Sequence, residues 1–309
     1  VDLSLRHRLL RVRRATPLFL MMLPGLIYLM INNYMPLGYM WLAFKKINFV
    51  KGLWGSDWYG LNNFTYLFRT NNAWIITRNT IGYNICFILA NMVFPIAFAI
   101  MLNSIRYNRS KQFFQTVILI PYLLSMVIVG YLVYGFLADD TGFVNNYIVG
   151  LLGQHPVKWY STPSAWVWVL NVVNVWKASG YYTIIYLAAI IGVSPEYYEA
   201  ADIDGATTLQ KVFHVTLPSI SGVIITLTLL QVGKILYSDF GMFYQVTMNT
   251  GALLPTTNVI DTYVYRALLQ IGDIGMSAAA CVYQSVVGFL IILVANYIVR
   301  KTSPENAMF

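Results

Sequence analysis

The sequence predicts an all-α, polytopic membrane protein: six transmembrane helices, with the N- and C-termini on the cytoplasmic side. Three observations predict it. The 309 residues are 58% hydrophobic and only 10% charged, whereas a soluble domain carries about 25% charged residues. The apolar residues gather into six runs close to the ~20 residues that a spanning helix needs. Basic residues flank those runs unequally, which sets the orientation.

The first run, 17–44, contains Pro24, Gly25, Pro36 and Gly38, so it is expected to kink or tilt. The basic opening is followed by this span-length segment with no small-residue cleavage pattern, which argues against a signal peptide. The second and third runs, 74–103 and 113–137, are joined by a short turn at Arg106–Lys111. A Gly/Asn-rich loop, 138–163, leads to the fourth run, 164–191. A polar insert then leads to the fifth, 220–240, and a 239–274 loop to the sixth, 275–299. The chain divides accordingly into a basic cytoplasmic N-terminus (1–16), a first span with its outer loop (17–73), a five-span core with cytoplasmic helices at 194–220 (74–300), and a cytoplasmic tail (301–309).

With the N-terminus inside, Arg6, Arg8, Arg11, Arg13, Arg14, Arg106, Arg109, Lys111, Lys211, Arg300 and Lys301 are cytoplasmic. Lys45, Lys46, Lys51, Arg69, Lys158 and Arg266 are outside. Five arginines ahead of the first span are a strong anchor. These topology signals account for the net charge of +8, and no basic stripe with interleaved aromatics marks a nucleic-acid surface. Cys86 and Cys281 both lie in apolar runs, and His7, His155 and His214 are scattered. Neither a disulfide framework nor a metal cluster is expected.

The insert is the most structured polar segment. Ser194 can cap a helix, Pro195 suits its first position, and Glu196 complements its dipole. A short helix runs to about Asp204, and Gly205 can adopt the left-handed conformation that ends it. A second helix follows from about Thr207 and stops near Pro218. Ala200 and Ala201 are small enough for a partner to approach the backbone. Glu199 could bond backbone amides within the insert or pair with a partner's basic group. A helix lying on the membrane surface would carry Lys and Arg on its polar face. This one carries Glu196, Glu199, Asp202 and Asp204, which favours a protein partner.

The spacing Glu199-Ala200-Ala201, three residues, Gly205, nine residues, then Val215-Thr216-Leu217-Pro218 resembles the signature cytoplasmic loop of binding-protein-dependent ABC importer permeases. Further segments are similar to the sugar-importer branch: Ile120-Pro121-Tyr122, Asp140 to Asn145, Trp176 with Gly180, Thr250-Gly251, and Thr262 to Tyr265. Leu23-Pro24-Gly25, Ala43-Phe44-Lys45, Gly52 to Gly55 and Gly60 to Phe64 are similar to oligo- and polysaccharide permeases, and most narrowly to the larger permease subunit of alginate-type importers. Leu253-Leu254 departs from the branch, where glycines are common before the proline. The resemblance implies a type I importer permease fold in the bacterial cytoplasmic membrane. It implies that Glu199, Ala200, Ala201, Asp204, Gly205, Leu217 and Pro218 couple to a cytoplasmic ATPase. It also implies a second permease subunit in a heterodimer, two ATPase copies that hold the ATP and Mg, and an extracytoplasmic binding protein. No cofactor is expected on this chain.

Spans four to six line the sugar path in that family. Periodicity supplies the candidates here. At 100° per residue, Asn171, Asn174, Lys177, Tyr181 and Tyr182 share an arc of about 140° on span four. Gln231, Lys234, Tyr237 and Ser238 share a face of span five, and Ser277, Gln284 and Gly288 one of span six. Polar residues within spans face a protein interior or a cavity, although interhelical hydrogen bonding is the competing role. Lys234 and Lys177, with Arg78, are expected to offset the carboxylates of an acidic glycan. Lys177, next to Trp176, has a structural role or a headgroup contact as its alternative.

Other function classes fit less well. An ion-coupled transporter calls for ionisable residues at mid-membrane and inverted repeats, and no acidic residue is read deep in a span. A membrane-embedded glycan- or lipid-transferring enzyme needs paired acid/base groups, and Asp139-Asp140 reads as a loop turn. No G-x4-G-K-[ST], HExxH or GxSxG motif is present, so the chain is not expected to be an enzyme by itself.

Overall fold

The computed structural model describes residues 2–69, 71–153 and 155–302, with the side chains of 2–15, Tyr66, Leu67 and Thr302 outside that description. The tail beyond 302 and the side chains of the five N-terminal arginines and His7 therefore lie outside the described residues. Three helices are each long and apolar enough to cross a membrane, and three bent helix pairs also qualify, giving up to six spans.

Helix α1 (Asp2–Leu29) continues through a π turn at Met30–Tyr34 and a 3-10 segment at Gly38–Phe44. From Thr16 to Phe44 this helical segment is apolar enough to cross a membrane, and none of its most apolar stretch is buried within the described residues, as suits a lipid- or partner-facing helix. Its far end is anchored. Leu42 and Ala43 are buried there, and a short hairpin, β1 (Lys45–Lys46) against β2 (Asp57–Trp58), follows. Lys45 donates to the Trp54 carbonyl at 2.6 Å and lies over the Trp41 ring. Lys51 pairs with Asp57 at 2.8 Å and holds that carboxyl below its ordinary value. The buried Asn63 of α2 (Asn62–Arg69) ties the hairpin down through the carbonyls of Ala43 and Lys45.

The core is built on α3 (Asn71–Asn103) packed along α6 (Pro163–Ile191). The third span is not one helix. α4 (Asn108–Leu123) and α5 (Met126–Leu137) meet at 96°. The break falls at the extended Leu124 and at Ser125, whose hydroxyl caps α5 through the Ile128 N–H. α4 touches α6 at Gly180, where a Cβ would sit 2.7 Å from the Ile118 carbonyl carbon and 2.9 Å from the Leu119 Cα. After α6 come α7 (Pro195–Ile203) and α8 (Thr208–Ser219), bent from their neighbours by 70° and 62°. α9 (Ser221–Val232) runs away from that elbow, α10 (Ile260–Arg266) lies at the opposite end, and α11 (Ile274–Thr302) returns towards the elbow.

Three apolar clusters fill the body. Ile96, Leu102, Tyr186, Ile190 and Ile220 pack beneath the elbow. Tyr83, Phe87, Trp166, Leu170 and Phe243 form a second cluster, and Ile76, Leu236, Ile260 and Met276 a third. The 138–163 loop is organised by the buried Asn145. Its amide donates to the carbonyls of Asp139 and Val157, and its oxygen accepts from the Val157 N–H and the Trp159 indole.

Candidate functional site

Two places combine exposure with built polar structure: the elbow and a cavity at mid-depth. At the elbow, Ser194 accepts the Glu196 N–H and begins α7. Its end is a Schellman turn: the Ala206 N–H reaches the Ala201 carbonyl at 2.9 Å and the Gly205 N–H the Asp202 carbonyl at 3.1 Å. Gly205 has φ of 72°, where a Cβ is disfavoured. Thr207 and Gln210 cap each other's backbone at the start of α8. Lys211 pairs with Asp202 at 2.6 Å, and the Tyr198 hydroxyl meets the Thr216 hydroxyl at 3.0 Å. The two helices are thus strapped into one piece.

Of the residues expected to couple, Glu199, Ala200, Asp204, Gly205 and Pro218 are exposed, Ala201 is half-buried, and Leu217 packs onto the cluster around Ile220. Glu199 bonds to no group among the described residues, so its role within the insert is not seen, and its carboxylate is free for a partner. Sequence reasoning missed the apolar knob beside it. Ile203 is 87% exposed, and Tyr197, Leu209 and Phe213 are each more than 60% exposed. The signal was available: large apolar residues punctuating an acidic helix.

The cavity, of about 630 Å³, lies between α3, α6 and the fifth span. Asn174, Tyr181, Tyr182, Gln231, Lys234 and Tyr237 line it, as periodicity grouped them. Tyr122, at the end of α4, stacks on Tyr181 with ring centres 4.9 Å apart, and Tyr182 meets Tyr181 edge-on. An amide ladder crosses the wall: Asn174 donates to Asn91 at 3.1 Å, and Asn91 to Gln231 at 3.3 Å. The Gln231 Nε2 is buried with no hydrogen-bond partner among the described residues. The surface offers aromatic faces, amide donors, the Lys234 ammonium and the Asp239 carboxylate, groups that grip a sugar ring and its hydroxyls.

Three expected path residues lie elsewhere. The Lys177 ammonium donates to the carbonyls of Pro121, Tyr122 and Leu124. Breaking the third span ends the helical ladder at these carbonyls, of which Pro121 keeps only the Leu124 N–H among the described backbone donors, and the Lys177 ammonium takes them. Lys177→Met is therefore expected to loosen the α4–α5 joint at a cost on the order of 2 kcal/mol. A lowered unfolding midpoint, with no change in preference between charged and neutral glycans, is the result to look for. Asn171 returns its amide to the Val167 carbonyl at 2.7 Å and sits in an apolar groove with Val93, Phe94 and Trp168. Gln284 is buried against the Leu236 carbonyl and Asp261. Arg78, too, is spent on Asn79 and the Pro255 carbonyl. Asn84, Asn91, Tyr122 and Asp239 line the cavity without having been expected. Asp239 stands at the end of the expected fifth run, and its carboxylate caps the next helix through the Met242 N–H.

With this geometry in place, comparison with known proteins becomes specific. Residues 85–304 match the family described as binding-protein-dependent transport system inner membrane component. The chain is 35% identical to the polygalacturonan/rhamnogalacturonan transport system permease protein YteP of Bacillus subtilis, over 97% of this chain and 93% of that one. It is similar to a chain of a bacterial ABC transporter involved in the import of the acidic polysaccharide alginate, with a TM-score of 0.87, 31% identity, and coverage of 96% of this chain and 99% of that one. It is also similar, with a TM-score of 0.86, 31% identity, and coverage of 95% and 97%, to a chain of the alginate transporter in complex with an alginate pentasaccharide-bound periplasmic protein. An elbow strapped at one end of a bundle of membrane helices, a polar cavity within it, and a match over more than two thirds of the sequence agree: this chain belongs to the binding-protein-dependent transport system inner membrane components.

Proposed function

We propose that this chain is the membrane-spanning subunit of an ATP-driven importer that receives an acidic oligo- or polysaccharide from an extracytoplasmic binding protein. A member of this family is a transport component rather than an enzyme. One observation carries the reading: the polar, aromatic-walled cavity is joined to the exposed elbow by α9, a single rod of 12 residues. A force applied at the elbow therefore reaches the cavity wall. Relatives named for polygalacturonan and alginate support the acidic class, since both polymers carry a carboxylate on nearly every ring.

The excess of basic residues beside the elbow end supports a cytoplasmic elbow and cytoplasmic termini. A separate ATPase, two copies per importer, grips the elbow and holds the ATP and Mg. The unburied length of α1 favours a second permease subunit against which it packs, in a heterodimer. The loops 45–73, 138–163 and 239–274 receive the binding protein. Closing of the ATPase pair moves the elbow, α9 swings, and the cavity turns outward to accept the sugar; opening returns it inward.

Lys234→Ala tests the substrate class. Uptake of a uronate oligomer is expected to fall about tenfold more than uptake of a neutral oligomer of equal length, because a charge-assisted bond is lost only in the first case. Equal losses for the two would contradict the acidic assignment.

A further inference from the structure

The fifth span does not cross as one helix, against the uninterrupted 220–240 run expected from sequence. α9 ends at Val232, residues 233–236 pass in single turns and 237–238 in irregular backbone before Asp239 caps a new helix. The break is deep. Leu236 faces Gln284, which lies about 15 Å along α11 from its start, and the hydrocarbon core is about 30 Å thick. Backbone that leaves a helix at this depth must be satisfied by protein or line a cavity.

Three side chains from three other elements satisfy it. Asn84 of α3 donates to the carbonyls of Ile235 and Tyr237, at 3.0 and 3.1 Å. Gln284 of α11 donates to the Leu236 carbonyl at 2.7 Å. Asp261 of α10 accepts the Ser238 N–H at 2.6 Å on one oxygen and the Gln284 amide at 3.2 Å on the other. Among the described residues no such side chain holds Gly233 or Lys234, whose N–H groups bond back to Leu229 and Gln231. Lys234 and Tyr237, within the break, line the cavity.

We infer that Asn84, Asp261 and Gln284 are positioning residues of the transport path: they fix the outer half of the break so that Lys234 and Tyr237 present to the sugar. The inference rests on the cavity being the sugar path. A clasp that merely satisfied buried carbonyls would support folding and nothing more. The two roles differ in whether Asn84 acts through Lys234.

A double-mutant cycle separates them. Asn84→Leu roughly keeps the volume, adds no charge to the cavity and cannot donate to either carbonyl. The complete importer, with second permease, ATPase and binding protein in proteoliposomes, is assayed for the half-saturating concentration of tetragalacturonate, normalised to assembled complex. Asn84→Leu and Lys234→Ala are each expected to raise it about tenfold. In the Lys234→Ala background, Asn84→Leu should add less than about twofold, because the group it positions is gone. If the two effects multiply in full, or if Asn84→Leu changes nothing while Lys234→Ala does, the positioning role is overturned and the cavity reading survives. If Lys234→Ala changes nothing, or the unaltered importer takes up no uronate oligomer, the cavity reading itself fails and the inference goes with it. Should Asn84→Leu not assemble, Gln284→Leu completes the same cycle.

Discussion

Gly180→Val abolishes the assembled protein. A Cβ at this position meets the backbone of α4, 2.7 Å from the Ile118 carbonyl carbon and 2.9 Å from the Leu119 Cα. Both obstacles are main chain within a helix, so no rotamer change relieves the overlap, and α4 and α6 must part. Overpacking of a well-filled interior costs about 1–3 kcal/mol where side chains can yield, and this site lacks that escape. Separation would also pull Tyr122 from Tyr181 and the three carbonyls from Lys177. The expected result is loss of monodisperse protein on detergent extraction and of every transport activity together. Gly25→Val is the control: no described atom of the chain lies within 4 Å of its Cβ direction, and, produced without a partner subunit, it should extract like the unaltered chain.

Gly180 also marks what the sequence could and could not disclose. The elbow was legible because its rules are local. A capping serine, a proline at the first turn, a glycine at positive φ and a Thr207–Gln210 box act within a few residues of one another. The strap between Asp202 and Lys211 spans only nine residues. Asn174, Tyr181, Tyr182 and Gln231 were legible because a helix repeats every 3.6 residues and polar groups avoid lipid, whereas Lys234 and Tyr237 reach the same cavity from beyond the end of their helix. Lys177 shares their arc yet turns away, because its partners are carbonyls freed by a break more than fifty residues earlier. The break in the fifth span left even less trace. Gly233-Lys234-Ile235-Leu236-Tyr237-Ser238 contains no proline, and its stability comes from Asn84, 151 residues before Ile235, and from Gln284, 48 residues after Leu236. Periodicity reports which residues share a face. It does not report whether that face meets an apolar groove, as at Asn171, or a polar cavity.

Ile203→Glu uncouples transport. Ile203 stands 87% exposed at the end of α7, flanked by the free carboxylate of Glu199, the exposed Asp204 and the turn at Gly205. An apolar tip in this position is the natural anchor for a groove on a partner. A carboxylate there would be buried on docking without a counter-charge, costing about 2–5 kcal/mol, or a thirtyfold to several-thousandfold weaker grip. The elbow's own fold should be untouched, since Ile203 belongs to none of the apolar clusters. Membrane insertion and assembly with the second permease should therefore persist. Glycan-stimulated ATP hydrolysis and uptake should both be lost. Normal uptake would show that the knob is not the point of grip.

The most direct measurement places a photoreactive benzoylphenylalanine at position 203 in the complete importer, in native membranes, and identifies what it captures on illumination. A covalent adduct between this chain and the ATPase subunit is predicted, weakened when ATP hydrolysis is trapped in a different state. Capture of the binding protein, or of lipid alone, would put the elbow on the wrong side of the membrane or out of the motor's reach, and would contradict the coupling mechanism.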